Sequence, residues 1–430
     1  MRVQTVRMYT LRVFSQMLTG TLLVLLSLLS TRVAAEPVTS LRVLSLAEAR
    51  AQALAANRDL RQAGSAIRGA EAGVQIAGVR PNAQLSLNAM KVRPWAGVGT
   101  QYQDSVMRID QTFERGGKRD LRLSQAGALL EAANADLVDT RRQLRAAVDS
   151  AYWRLKVAES AVSVATADRE SYTRLLQISR LRFSAGDLAG TALARIEAEA
   201  VRASTDFEVA TALQRDAQAA LATLLAAESA AAGLHTRDTW PEPASASADV
   251  DLAAVIERRP DVVAAEARRR AALTQIDLAR AQRTRDVTIG VQVERDENHV
   301  NSVGVGVSVP LFTGNDYSGD IAAASAVLTS AEILLEQLRG QARGELERLR
   351  VRLDTSAETA RRYRQDIVPR TEKAHAGVLF AYESGATSVL DLLDSLRALR
   401  AVRRSADEAY ADFATTLSDW QAALNQDLML

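Results

Sequence analysis

The stretch LDLLDS (390–395) puts Asp391 and Asp394 three residues apart, on one face of a helix. Two carboxylates so placed have two possible fates. Crowded beside a constriction, they draw cations and resist anions. On an open surface they are solvated, with Asp394 in reach of Arg397 on its own helix. Other chemistry-bearing residues are sparse. His235, His299 and His375 lie too far apart in sequence to form a chelate. There is no cysteine, which excludes disulfides, thiolate metal sites and cysteine nucleophiles. No phosphate-binding glycine loop, nucleophile elbow or metalloprotease helix occurs. No catalytic set, cofactor or resident metal is therefore expected. The charge is nearly balanced, with 53 basic and 52 acidic residues, and lacks the clustered basic surface that nucleic acid requires.

Two further stretches mark a change of pattern. Up to QTFERGGKRD (111–120) apolar and polar residues alternate; after it Ala, Leu, Arg and Glu dominate. The same change recurs at VPLFTGNDYSGD (309–320). Each reads as a passage from strand to helix. Gly116, Gly117 and Gly314 are expected to relieve backbone strain at the bend. Pro310, lacking an N–H, suits the end of a strand. Lys118 and Arg119 either lie at a lipid headgroup boundary or are solvated charges of a first helical turn.

The elements that position these residues come in two sets. Slid by 202 positions, Asp59 meets Asp261, Ile76 meets Leu278, and Leu85 and Leu87 meet Val287 and Ile289. Slid by 199, Phe113 meets Phe312 and Gly186 meets Gly385. The chain therefore reads as two copies of one plan, 36–232 and 251–430, joined by a Pro/Ser/Ala-rich linker at 233–250. The first copy is a helix over 45–80, a hairpin over 83–113, a very long helix over 118–183, a turn, and a helix over 188–229. The second is a helix over 249–283, a hairpin over 286–312, a long helix over 320–383, a turn, and a helix over 387–427. The long helices would each span about 100 Å. Scarce aromatics, at 4%, and abundant alanine suit closely packed helices rather than a thick globular core.

The hairpin strands alternate. Val303, Val305, Val307 and Val309 fall on one side, and Ser302, Gly304, Gly306 and Ser308 on the other. A half-buried soluble sheet and an outer-membrane barrel strand both fit that pattern. Trp95, Tyr102, Phe113, Phe312 and Tyr317 sit at strand ends, where barrel girdles lie. Four strands cannot close a barrel, whereas three chains would supply twelve. Residues 1–35 read as a signal peptide: Arg2, Arg7 and Arg12, then TLLVLLSLL (21–29), then small residues before cleavage after Ala35. An N-terminal membrane anchor is the alternative. Cleavage would remove four arginines and no acid, moving the formal charge from +1 to about −3. Beyond it, no run of about eighteen apolar residues is evident, so membrane entry would have to use closed β-structure.

With this layout the chain resembles the outer-membrane efflux proteins, the TolC-like channels. The stretch IVPRTEKAHAGVLFAYESGATSVLDLLDSLRAL (367–399) is similar to the family's second helical turn, and RFSAGDLAGTALARIEAE (182–199) to its first. GGKR (116–119) after a strand is similar to the cobalt–zinc–cadmium resistance (CzcC-like) branch. The resemblance implies a mainly α homotrimer. An outer-membrane β-barrel, four strands per chain, would continue as a periplasmic α-helical barrel. It further implies a periplasmic adaptor, an inner-membrane pump of the resistance–nodulation–division type, and no catalytic step. Divalent heavy-metal cations are then the expected cargo. Drugs or secreted proteins are the alternative, and a periplasmic adaptor or coiled-coil scaffold the alternative of another class. Ser184, Gly186, Asp187 and Leu188, with Gly385, Thr387, Ser388 and Val389, would form the tip that meets the adaptor, or merely cap helices. Asp391 and Asp394 would ring the tunnel entrance. Ala192 stands where the family's best-studied member carries a gate-linking acid, so the closed-state locks differ here. Pro369 would mark an inward helix bend, or a tolerated kink.

Overall fold

The computed structural model describes residues 42–90, 104–245, 250–296, 298–312 and 314–425. The expected signal peptide, with Arg2, Arg7, Arg12 and Ala35, lies outside these residues, as do Trp95, Tyr102 and part of the linker. In chain order the described elements begin with β1 (Arg42–Leu44), α1 (Leu46–Ala56), α2 (Arg58–Gly78), β2 (Gln84–Met90) and β3 (Asp104–Phe113). There follow α3 (Lys118–Ser184), α4 (Gly190–Leu224), β4 (Leu234–Thr236), α5 (Leu252–Arg258) and α6 (Pro260–Ala281). The last are β5 (Val287–Arg295), β6 (Asn301–Ser308), α7 (Ser318–Arg362), α8 (Val368–Glu383) and α9 (Val389–Ala423). The fold is predominantly helical.

α3 runs 67 residues without a break, about 100 Å of helix. No proline interrupts it, and alanines at 128, 132, 135, 158 and 165 are buried against neighbouring helices. Its counterpart is not one regular helix. α7 gives way at Tyr363–Ile367 to a π-helical turn, after which α8 begins. Pro369 sits in the first turn of α8. A proline there needs no intrahelical partner for its nitrogen, and the wide turn ahead of it makes room for the ring.

Two expected single helices are each split in two. Residues 45–80 break at Asn57, whose backbone is extended (φ −60°, ψ 140°). Its Oδ1 accepts from Asp59 N (2.8 Å), while its Nδ2 donates to Leu224 O at the end of α4 (3.1 Å). The side chain thus caps one helix start and one helix end, which a helical Asn57 could not do. Residues 249–283 break at Arg259 (φ −62°, ψ 134°) because Pro260 disfavours the helical conformation of the residue before it. Arg259, almost fully buried, is held by Asp261 Oδ2 and Glu345 Oε2, each 2.7 Å away.

Halfway along the shaft the chain is cross-tied. β1 pairs in parallel with β4, Arg42 opposite Leu234 and Leu44 opposite Thr236. Tyr152 lies fully buried beneath them. Its hydroxyl sits 3.0 Å from both Leu44 O and Asp238 Oδ2 and accepts from Arg237 N and Asp238 N. Burial is the main cause that pushes this phenol up to about 12. Trp153 stacks on Trp240 of the connecting segment (centroids 5.5 Å apart), and Trp240 meets Tyr410. Nearby, Arg50 makes a two-pronged ion pair with Asp149, whose side chain is 1% exposed. Leu144, Val148, Leu155, Leu221 and Leu225 complete this core. A second core packs α7 on α9 through Leu346, Leu353, Phe413 and Trp420.

Candidate functional site

The four longer strands make one antiparallel sheet, ordered β2-β3-β5-β6, so the two hairpins join through β3 and β5. Its register sorts side chains by face. Leu85, Leu87, Met107, Ile109, Ile289, Val291, Val293, Val303, Val305 and Val307 fall on one side, and all are exposed. Val303 and Val305 are 74% and 75% exposed, a degree of exposure that water disfavours and lipid tails satisfy. The opposite side carries Arg108, Asp110, Thr112, Thr288, Gln292 and three glycines.

The bend beneath the sheet departs from the sequence reading. Gly116 and Gly117 both take positive φ (72° and 68°), a conformation that costs an L-residue strain. Lys118, however, neither snorkels toward headgroups nor is solvated: its Nζ bonds both oxygens of Asp286 at 2.9 Å, and it is almost fully buried. Arg119 donates to Gly78 O (2.7 Å) and so ties α3 to α2. At the second bend Gly314 has no positive φ. Tyr317 takes the left-handed conformation instead (φ 58°) at the start of α7. Its ring leans edge-on against Phe312 (5.3 Å), and its N–H bonds Asn315 Oδ1, so contacts hold what glycine would have allowed freely. Pro310 lies just past the end of β6.

At the other end of the shaft two turns share one geometry. Gly186 N donates to Phe183 O (3.0 Å), and Asp187 N to Arg182 O (2.8 Å). Gly385 N donates to Tyr382 O (3.0 Å), and Ala386 N to Ala381 O (2.8 Å). These are Schellman caps, with the glycines at φ 85° and 74°. Ser184 Oγ donates to Leu181 O. Leu188 and Val389 point inward, onto a core of Tyr172, Leu175, Ile196, Leu392 and Leu393. Of the turn residues singled out from the sequence, Ser184, Gly186, Asp187, Gly385 and Ser388 are exposed and Thr387 is half-buried.

Asp391 and Asp394 are both exposed, with different partners. Asp391 completes a capping box. Its Oδ2 accepts from Ser388 Oγ (2.7 Å), Thr387 Oγ1 (2.7 Å) and Ser388 N (3.1 Å). The Ser388 hydroxyl, then the Thr387 hydroxyl, hold its carboxyl below the usual aspartate range, so the charge persists to lower pH. Asp394 pairs with Arg397 Nη1 (2.9 Å), and the same guanidinium also reaches Glu199 Oε1 (2.6 Å). Ala192 lies in the first turn of α4.

The histidines are scattered: His235 bonds Glu159, His375 bonds Ser395, and His299 occupies the β5–β6 turn. Among the described residues no group of three or more His, Asp or Glu is placed to hold a metal. One correction concerns the helices. Within Ser318–Glu383 one stretch is long and apolar enough, by length and composition, to cross a membrane, with 11% of it buried. Its apolar residues are interspersed with polar ones, so reading for unbroken apolar runs passed over it. Asp286 and Tyr152 were also missed: their partners are distant in sequence, and only Asp286, next to a strand start, had any local signal. Tyr317 was read as a strand-end aromatic, not as a residue with left-handed backbone.

The comparisons agree with this architecture. The family model described as outer membrane efflux protein matches residues 49–227 and 252–426. The cobalt-zinc-cadmium resistance protein CzcC of Cupriavidus metallidurans is 27% identical over 377 residues, 86% of each chain. A membrane protein from Pseudomonas aeruginosa has a similar solved structure (TM-score 0.76, 22% identity, 88% of this chain and 93% of that one). So has the outer membrane protein VceC from Vibrio cholerae (TM-score 0.72, 20% identity, 88% and 95%).

Proposed function

Because this chain belongs to the outer membrane efflux protein family, as a channel component of the outer membrane that reaches into the periplasm, we propose how it assembles and what it carries. Three copies close a twelve-stranded barrel and continue it as a helical tunnel. The observation that carries this is the four-stranded sheet. It has an exposed apolar face, and the outer edges of β2 and β6 have no partner strand among the described residues. Open edges beside an apolar face in lipid demand further strands, and a second and third copy supply them without new sequence. The apolar, little-buried stretch of α7 is then covered by a neighbouring copy. We read the chain as a duplication, 36–232 and 251–430 joined by 233–250.

The cargo is divalent heavy-metal cations, a reading supported by the likeness to CzcC. An inner-membrane pump of the resistance–nodulation–division type supplies the energy. A periplasmic adaptor meets the tip at Ser184, Gly186, Asp187, Gly385, Thr387 and Ser388, while Leu188 and Val389 shape the tip from within. A strain lacking this chain is expected to lose tolerance to cobalt, zinc and cadmium. The wild-type chain should restore it. Gly385→Trp should not, although detergent-purified trimers still form. Unchanged metal tolerance beside new drug sensitivity would replace the cargo; a monomer in detergent would end the assembly.

Asp391 and Asp394 ring the tunnel entrance in this reading, six carboxylates in three copies. Asp394 contributes less than a free carboxylate because Arg397 offsets it. The Asp391→Asn, Asp394→Asn double variant is expected to lower cation preference in planar-bilayer recordings. A reversal potential that stays put under a salt gradient removes the ring.

A further inference from the structure

On the polar side of the sheet, strand register puts Gly290 beside Asp110 and Gly306, and Gln292 beside Arg108 and Gly304. The three glycines make a lane without side chains across β5 and β6. Arg108 lies down in that lane. Its Nε donates to Asp110 Oδ1 (2.9 Å) and Oδ2 (2.8 Å), and its Nη1 to Gln292 Oε1 (3.3 Å). A Cβ at Gly290 would overlap Asp110 Oδ1 and come within 2.7 Å of Arg108 Nη2. One at Gly306 would stand 3.3 Å from the same nitrogen. The guanidinium is therefore pressed flat on the sheet and paired, with its side chain 32% exposed. No glycine of this sheet has a positive φ. Absence of a side chain, rather than backbone freedom, is what these positions provide.

We propose that the Arg108–Asp110 pair sets the charge of the barrel lumen, with Gly290 and Gly306 as the floor that keeps it recessed and Gly304 making room for the Gln292 side chain that accepts from Arg108. The proposal rests on the trimeric barrel reading, which turns the apolar face to lipid and this face to water. Three copies then place three arginines around the bore, each masked by its own aspartate. Glu294, also on this face, lies toward the loop end, so among the described residues of this face carboxylates outnumber bases. A cation leaving the tunnel meets a wall whose positive charges are neutralised and held aside. Without Asp110 the three guanidiniums would face that cation unmasked.

The chain's lack of cysteine makes the test direct. Ser86 pairs with Arg108 across β2 and β3 and shares its face. In whole cells carrying the full chain with Ser86→Cys, reaction is followed with two membrane-impermeant methanethiosulfonates added outside. One bears a sulfonate and the other a trimethylammonium. Adding Asp110→Asn is expected to raise the sulfonate-to-ammonium rate ratio, and adding Arg108→Gln to lower it. The double neutralisation should bring the ratio back near its starting value. A ratio indifferent to both single changes overturns the proposal while leaving the barrel standing. A Ser86→Cys chain that fails to react, beside a Val305→Cys chain that does, means the faces are reversed; the barrel reading then falls and the proposal with it. Arg108→Gln and Asp110→Asn predict opposite shifts, so either one that assembles decides the matter.

Discussion

Asp149→Ala is expected to destabilise the folded channel by about 3 kcal/mol, more than the loss of any surface ion pair. Asp149 is buried and accepts two hydrogen bonds from Arg50, at 2.7 and 2.6 Å. Arg145 shares the site. Burial, then the nearby Arg50 charge, make its charged form harder to keep, and Asp149 offsets part of that. Deleting the carboxylate strands one partly buried guanidinium against another. The double variant Arg50→Met, Asp149→Leu should recover most of the loss, because an apolar pair of similar volume leaves no uncompensated charge of its own. Urea unfolding of detergent-solubilised protein, followed by helical circular dichroism, measures both. An Asp149→Ala chain as stable as wild type would mean that solvent already carries the Arg50 charge.

Gly116→Ala should cost about 3 kcal/mol and Gly117→Ala about 1 kcal/mol, although both residues take left-handed φ. The shared part is the strain of an L-residue in that conformation. The difference is crowding. A Cβ at Gly116 would lie 2.8 Å from Thr284 Cβ and 3.3 Å from Ala281 O, whereas nothing lies within 4 Å of one at Gly117. Thr284 follows α6 and precedes β5, so the clash would press on the entry to the second hairpin. The same unfolding experiment separates the two variants. Equal losses would show that α6 yields freely and that the close approach at Gly116 has no energetic weight.

Periodicity carried most of the architecture. The alternation of Val303, Val305 and Val307 and the unbroken helical pattern from Lys118 onward depend on neighbours one to four residues away, and such signals survive in a bare sequence. The Gly186 and Gly385 turns were legible because a helix that must stop and reverse leaves few options at its C′ position. Local signals also existed where the reading failed. Asn57 before Arg58-Asp59, and Arg259 before Pro260, are a cap and a pre-proline residue, and each marked a break. Other features had no local signature. The burial of Lys118 depends on Asp286, 168 residues away. Tyr317 has its partners close by, at Phe312 and Asn315, but its residue type does not announce a left-handed backbone. β1 and β4 are three residues each, too short to show a period. At the candidate entrance the sequence placed Asp391 and Asp394 on a shared face and offered the Asp394–Arg397 pair, which the structure has, but not the engagement of Asp391 in a helix cap.

The tie between β1 and β4 bears on the order in which the chain can become ordered. Arg42 meets Leu234, so a loop of about 190 residues must be drawn shut, at an entropic cost of about 5 kcal/mol. A polypeptide delivered to the periplasm N-terminus first cannot draw it shut until residues near 240 have emerged. By then α1 to α4 and the first hairpin are all present, and the hydroxyl of Tyr152 can find its backbone partners. The first half can thus be sealed as a unit while the second is still arriving, leaving the open edge of β3 waiting for β5.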